Sequence, residues 1–259
     1  MAKLQYPGMA CHQALSFSSL LMRIPEAEAI FWPGCALMNL DPAILQKTLA
    51  VLRRAEPEIQ LAAGCCGQPT VYLFPEKAEK RRIQLIELLK KRGVMRIYTA
   101  CPNCTLQLRE LEGFEIIPVW TVLADCIKPE DTQKPEGQFI WHDPCPTKND
   151  AAQQNAARKL LEISGCDWAE PEHTGKNTIC CGNYHMMEFS APEKQQKMRS
   201  RRLAELPEEK TILSSCEGCL SAFRGSGRNT CHLLELLFGK SASRGWGNRI
   251  KTTLKAPIR

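Results

Sequence analysis

The chain has 259 residues, 44% of them hydrophobic and 24% charged, which suits one large or two small globular domains and excludes disorder and fibrous repeats. No run approaches the roughly 18 uncharged apolar residues of a membrane-spanning helix; the nearest, 116–124, contains Pro118. The formal charge of +6 resides in residues 240–259, where Lys240, Arg244, Arg249, Lys251, Lys255 and Arg259 have no acidic neighbour, so the neutral body gives no case for nucleic-acid binding.

Lys3, an apolar stretch over 14–22 and Ala27-Glu28-Ala29 imitate a secretion signal poorly. Ser16, Ser18 and Ser19 interrupt the stretch, and Arg23, Pro25, Glu26 and Glu28 crowd the cleavage region. Residues 1–28 read as an N-terminal extension of a cytoplasmic protein. The apolar run 29–32 predicts a strand ending just before Cys35, and Asp41-Pro42 predicts a capped helix with Leu45, Leu49 and Leu52 on one face. Cys65-Cys66-Gly67 follows. Residues 75–92 predict a helix with Ile83, Ile86 and Leu89 as its buried stripe, Lys90 to Arg92 in its last turn and Gly93 as its stop. A strand over 95–99 then leads into Cys101-Pro-Asn-Cys104 and another helix.

Residues 128–137, rich in proline and charge, read as the linker between domains spanning 29–127 and 138–239. The second domain repeats the order: a strand over 138–141, Cys145, a helix from Asp150 to Gly165, Cys180-Cys181-Gly182, a helix over 192–206, a strand over 210–214, and Cys216-Glu-Gly-Cys219. The basic runs 80–82 and 197–202 predict solvated helix faces. Residues 240–259 form a basic tail, solvated or docking, with a peripheral membrane contact or an acidic partner as the other reading. Strand, cysteine loop and helix in alternation imply an α/β fold with mainly parallel sheets, whose ligands collect at the carboxyl ends of the strands.

The register of the cysteines establishes an internal duplication. The differences 180 − 65, 181 − 66, 216 − 101 and 219 − 104 all equal 115, while 145 − 35 equals 110. Ten of the fourteen cysteines thus form two matching sets. Soft thiolates select zinc, copper(I) or iron–sulfur clusters. Structural zinc and an ordinary four-iron cluster each take four ligands, and each set offers five, so the fifth has to bridge, exchange or stand idle. No histidine recurs at equivalent places, which leaves iron–sulfur the leading reading and zinc in one half the minority one. A thioredoxin-like reading of Cys101-Pro-Asn-Cys104 leaves the other cysteines unexplained.

Gly67 and Gly182 permit positive φ and close approach of the backbone to a bulky ligand. Cys11, Cys126, Cys166 and Cys231 fall outside the repeat and read as core residues. His142, three residues before Cys145, is placed to donate to sulfur or is simply satisfied in its loop. His185 could gate protons, and His12, His173 and His232 carry no pattern.

Cys35 with Cys65-Cys66-Gly67 and Cys101-x2-Cys104, repeated as Cys145 with Cys180-Cys181-Gly182 and Cys216-x2-Cys219, resembles the CCG or cysteine-rich domain family. It is most similar to the doubled cysteine-rich subunit of heterodisulfide reductase, and is related to the iron–sulfur subunits of lactate, glycolate and anaerobic glycerol-3-phosphate oxidation. The resemblance implies two α/β cysteine-rich domains related by a pseudo-twofold, each binding a noncubane 4Fe-4S cluster through its five cysteines. It implies thiol/disulfide redox chemistry within a multisubunit complex, or, alternatively, electron transfer alone for a hydroxy-acid dehydrogenase or quinone-linked complex. A zinc-stabilised interaction module is the third reading. The chain has no C-x2-C-x2-C-x3-C-P run, so a separate ferredoxin-like subunit and a flavoprotein are the expected electron partners.

Overall fold

The strand Ala29–Trp32 (β1) is buried along its whole length, the pattern of a strand covered on both faces of a parallel sheet. In the computed structural model, which describes residues 6–257, β1 pairs in parallel with Gln60–Leu61 (β2) and Arg96–Thr99 (β3), and β3 pairs with Glu115–Pro118 (β4). The second half repeats this. Gln138–Trp141 (β5) lies between Asp167–Ala169 (β6) and Thr211–Ser214 (β7), and β7 pairs with Thr230–His232 (β8). The sheet orders are β2-β1-β3-β4 and β6-β5-β7-β8, every pair parallel, so the expected α/β fold is present twice. Lys3 and Arg259 lie outside the described residues.

The duplication extends to the register. Ile30 pairs with Ile97, and Ile140 with Ile212; 140 − 30 = 110 and 212 − 97 = 115, the same two offsets as the cysteines. Trp32 and His142 therefore occupy equivalent positions. The extra residues of the second half lie between β6 and Cys180.

Helices separate the strands. The first half contains Pro7–Ser16 (α1), Pro42–Leu52 (α2), Gln68–Leu73 (α3), Ala78–Lys91 (α4), Pro102–Leu108 (α5) and Val119–Cys126 (α6). Asp41 caps α2 by accepting from the Ala43 N–H at 2.9 Å, and Leu45, Leu49 and Leu52 are buried as their spacing predicts. In α4 the buried residues are Leu85 and Leu89, whereas Ile83 is 44% exposed. The apolar residues at 83, 85, 86, 88 and 89 admit two helical phases, and Arg81, turned inward to Thr70 and Gln13, fixes the other one.

The second half contains Ala151–Ser164 (α7), Met187–Ser190 (α8), Pro192–Leu203 (α9), Glu217–Arg224 (α10), Leu233–Phe238 (α11) and Trp246–Lys255 (α12). Asp150 caps α7 and Gly165 closes it in the left-handed conformation.

Successive strand residues point to opposite faces, and here the two faces feed different cores. Phe31, Tyr98, Phe139, Trp141 and Leu213 enter one core shared by the halves, filled by Leu45, Trp120, Leu160 and Leu236 from α2, α6, α7 and α11. Ile30, Trp32 and Ile97 face an outer core of the first half, Ile140 and Ile212 one of the second. The shared core locks the two sheets together, and the cysteine loops of both halves lie along the same seam.

The basic tail is only partly solvated. Its helix α12 turns Asn248, Arg249, Thr252 and Thr253 inward and leaves Trp246, Ile250 and Leu254 outward. Arg249 donates to His12 Nε2 at 2.9 Å and to Ser16 Oγ at 2.8 Å, and Arg244 pairs with Glu217 and Glu235. Those two cations find partners that are distant in sequence, which the local charge pattern does not reveal.

Candidate metal centre

Four cysteines of each set stand just beyond the ends of three adjacent strands. Cys35 follows β1, Cys65 and Cys66 follow β2, and Cys101 follows β3; Cys145, the pair Cys180 and Cys181, and Cys216 follow β5, β6 and β7. The chain steps from β1 to β2 on one side and then to β3 on the other, so these loops flank the crevice where strand order reverses, the usual ligand position in open parallel sheets. Cys104 and Cys219 lie in the first turns of α5 and α10.

None of the fourteen cysteines forms a disulfide. Within the first set the thiols stand as a chain of electrostatically interacting neighbours, Cys35 to Cys65 to Cys66 to Cys104 to Cys101. The second set repeats it in the same order, Cys145 to Cys180 to Cys181 to Cys219 to Cys216, with 3.7 Å between the sulfurs of Cys145 and Cys180.

The two sets also share their electrostatics. Cys35 and Cys66, the two adjoining thiols, hold Cys65 far below an ordinary thiol against the opposing effect of burial, with help from the Gly67 N–H and Gln13. Cys145 and Cys181 likewise hold Cys180 far below an ordinary thiol, with the Gly182 and Tyr184 N–H groups. Cys35 and Cys145, which donate to them, are pushed well up by that donation and by burial. Buried thiols this close cannot all ionise beside one another without a compensating cation. A positively charged metal centre resolves that conflict, and the donor set fits it.

One cavity of about 290 Å³ joins the halves. Cys35, Cys66, Cys101 and Cys104 line it from one side and Cys145, Cys181, Cys216 and Cys219 from the other. Cys65 and Cys180 do not line it. A direct contact crosses the gap: Asn103 Nδ2 of the first set donates to Cys216 Sγ of the second at 3.5 Å, while its Oδ1 accepts from Gln68 Nε2 at 3.0 Å. Gly67 and Gly182 take φ of +84° and +94° as their turns require. A Cβ on Gly182 would collide with the Gln195 carbonyl oxygen of α9.

Several surrounding residues carry no signal in the sequence. The N-terminal helix α1 packs against the first set, where Gln13 Nε2 donates to Cys65 Sγ at 3.6 Å and its Oε1 accepts from Thr70 Oγ1 at 2.8 Å, and where His12 lines the cavity. Arg202 is fully buried instead of belonging to a solvated basic face, because its Nε donates to His142 Nδ1 at 3.0 Å. His142 Nε2 is buried without a partner, and a ring nitrogen of His142 and the sulfurs of Cys181 and Cys219 lie within 4.8 Å of one another. Burial, then the Arg202 charge, lowers the imidazole to about 3.

The remaining candidates fall elsewhere. His185 stacks on Tyr184 and Tyr72 at 3.7 and 4.2 Å, with φ of +57°. His173 pairs with Glu205, and His232 caps α11. Cys126, Cys166 and Cys231 pack against the shared core as expected. Cys11 is exposed, because α1 turns Gln13 and Ser16 inward instead.

Asp143 anchors the Cys145 loop. Its buried carboxylate accepts from Arg158 Nη2 and Thr174 Oγ1 at 2.8 Å, from the Gly175 N–H at 2.7 Å and from Trp141 Nε1 at 2.8 Å. Burial alone would raise it, but these donors outweigh burial and hold it at about 2. The folded value lies below the ordinary one near 3.9, so this stabilisation is complete at neutral pH and is lost as pH falls towards 2. It contributes about 2 to 3 kcal/mol by linkage. Asp143→Asn should lower chemical-denaturation stability at pH 7 by about that amount, with the difference from wild type shrinking below pH 4; a pH-independent difference would contradict the assignment.

The profile of the cysteine-rich domain family, CCG, matches residues 29–109 and 139–224. No curated protein matches the chain. Among solved structures, an aspartate racemase from Picrophilus torridus is 11% identical, with 88% of this chain and 94% of that chain covered and a TM-score of 0.38. An aspartate racemase homologue from Pyrococcus horikoshii OT3 is 13% identical, covering 88% of this chain and 99% of that chain at a TM-score of 0.29. The two matched segments begin at β1 and within β5 and enclose all ten repeated cysteines, so the chain belongs to the cysteine-rich domain family and carries its domain twice.

Proposed function

We propose that the chain is an iron–sulfur oxidoreductase subunit similar to the doubled cysteine-rich subunit of heterodisulfide reductase, with one four-iron cluster on each five-cysteine set and a thiol/disulfide couple between them. The observation that supports this reading is the single cavity lined by four cysteines of each set. Cleaving a disulfide to two thiols consumes two electrons and two protons. Iron–sulfur clusters supply electrons singly, so two centres facing one cavity provide a matched pair. The chain's own part is to hold the halves in register through the shared core and to brace the gap with Gln68 and Asn103.

Electrons then come from a separate ferredoxin-like protein, and beyond it a flavoprotein, because the chain lacks a ferredoxin-type cysteine run. The test is anaerobic turnover with reduced viologen and a panel of disulfides, with thiol product quantified. Viologen oxidation that yields stoichiometric thiol supports the reading. Rapid reduction of both centres without thiol from any disulfide would leave electron transfer alone. The His142, Cys181 and Cys219 group favours zinc in the second half, and metal analysis separates that reading from iron.

A further inference from the structure

Among the described residues, His142 is the one buried side chain beside the second cysteine set whose polar atom has no partner and whose other nitrogen is fixed by a permanent cation. Arginine only donates, so the contact from Arg202 Nε to His142 Nδ1 at 3.0 Å makes Nδ1 the acceptor and places the proton of the neutral ring on Nε2. Arg202 cannot swing away. It is fully buried and held by Glu205 Oε2 and the His173 carbonyl, each at 2.8 Å. Phe223 fixes the ring edge-on, with centroids 5.0 Å apart. The resulting Nε2–H is buried and unpartnered, and the His142 ring brings a nitrogen within 4.8 Å of the Cys181 and Cys219 sulfurs.

We propose that His142 Nε2–H, backed by Arg202, is a positioning hydrogen-bond donor to sulfur of the second centre, which makes that centre easier to reduce than the first. This rests on the iron–sulfur reading above. A donor to sulfur stabilises the more negative, reduced form, and a charge-assisted one does so more strongly. The first half differs at this point. Trp32 occupies the equivalent register position, and its Nε1–H is also buried and unpartnered, but an indole has no second nitrogen through which a buried arginine could polarise it. Two matching cysteine sets are thereby given unequal surroundings, and electrons entering the protein settle first in the second half.

The test is an anaerobic redox titration of the iron-loaded protein followed by EPR, on the wild type, His142→Phe and His142→Gln. With full iron retained, His142→Phe should lower one of the two midpoint potentials by about 59 mV, a tenfold change for one electron, and leave the other in place. His142→Gln, which keeps an N–H, should restore part of the shift. In the wild type an exchangeable proton should couple to the same centre by ENDOR and vanish in His142→Phe. Unmoved potentials at full iron, equal shifts of both centres, or loss of half the iron in both variants would each overturn the proposal, the last by making His142 a ligand. If His142→Phe does not fold, the wild-type proton coupling decides, and its absence is equally contrary. Zinc in place of iron in the wild type overturns both readings at once, whereas iron with unmoved potentials overturns this one alone.

Discussion

Serine at Cys66, Cys104, Cys181 or Cys219 should each remove about half of the bound iron, since on the proposed assignment each breaks one four-iron site and leaves the other. These sulfurs lie inside the two thiol chains and line the shared cavity. Alanine at Cys126 or Cys166 should retain all of it. Both pack against the shared core, half-buried and remote from either thiol chain, so the expected cost is packing alone, at most about 2 kcal/mol. Iron and acid-labile sulfide per chain, measured after anaerobic reconstitution, check both groups. Equal iron loss in both would show that the repeat does not separate ligands from core residues.

The second large effect concerns the leading cysteine of each set. Cys35→Ser and Cys145→Ser should each depress disulfide turnover by about a hundredfold or more, even where the opposite centre still reduces normally. The reason is geometric. Cys35 and Cys145 enter the cavity from opposite halves, and each donates its thiol to the first member of its own vicinal pair. A two-electron cleavage shared between two centres cannot proceed from one. Thiol product formed per minute, with EPR confirming which centre survives, is the measurement. A variant with one confirmed empty site and wild-type turnover sinks the paired mechanism.

Much of this is legible in the sequence because the informative features are local or periodic. Asp41-Pro42 and Asp150 mark helix starts by cap chemistry, and β1 and β5 begin and end where their apolar runs do. The offset of 115 pairs the cysteines without reference to any packing. Strands β2 and β6 are not legible, because two or three residues are too few to display a period. Neither is the environment of the site. Gln13 reaches Cys65 across 52 positions, and Arg202 reaches His142 across 60; each looks like an ordinary surface residue among its neighbours. Arg202 is hidden in a run of basic residues whose other members, such as Lys197 and Arg201, do face solvent. Arg249 is hidden in the same way within the tail. Tertiary contact turns these cations inward, and charge counting along the chain cannot detect that.

The central claim, that two five-cysteine sets hold two metal–thiolate centres across one cavity, is tested most directly by metal and sulfide analysis of wild-type protein prepared without oxygen. The account predicts about eight irons and about eight acid-labile sulfides per chain with brown absorbance. Colourless protein after reconstitution with iron and sulfide, or stoichiometric zinc in place of iron, would contradict it.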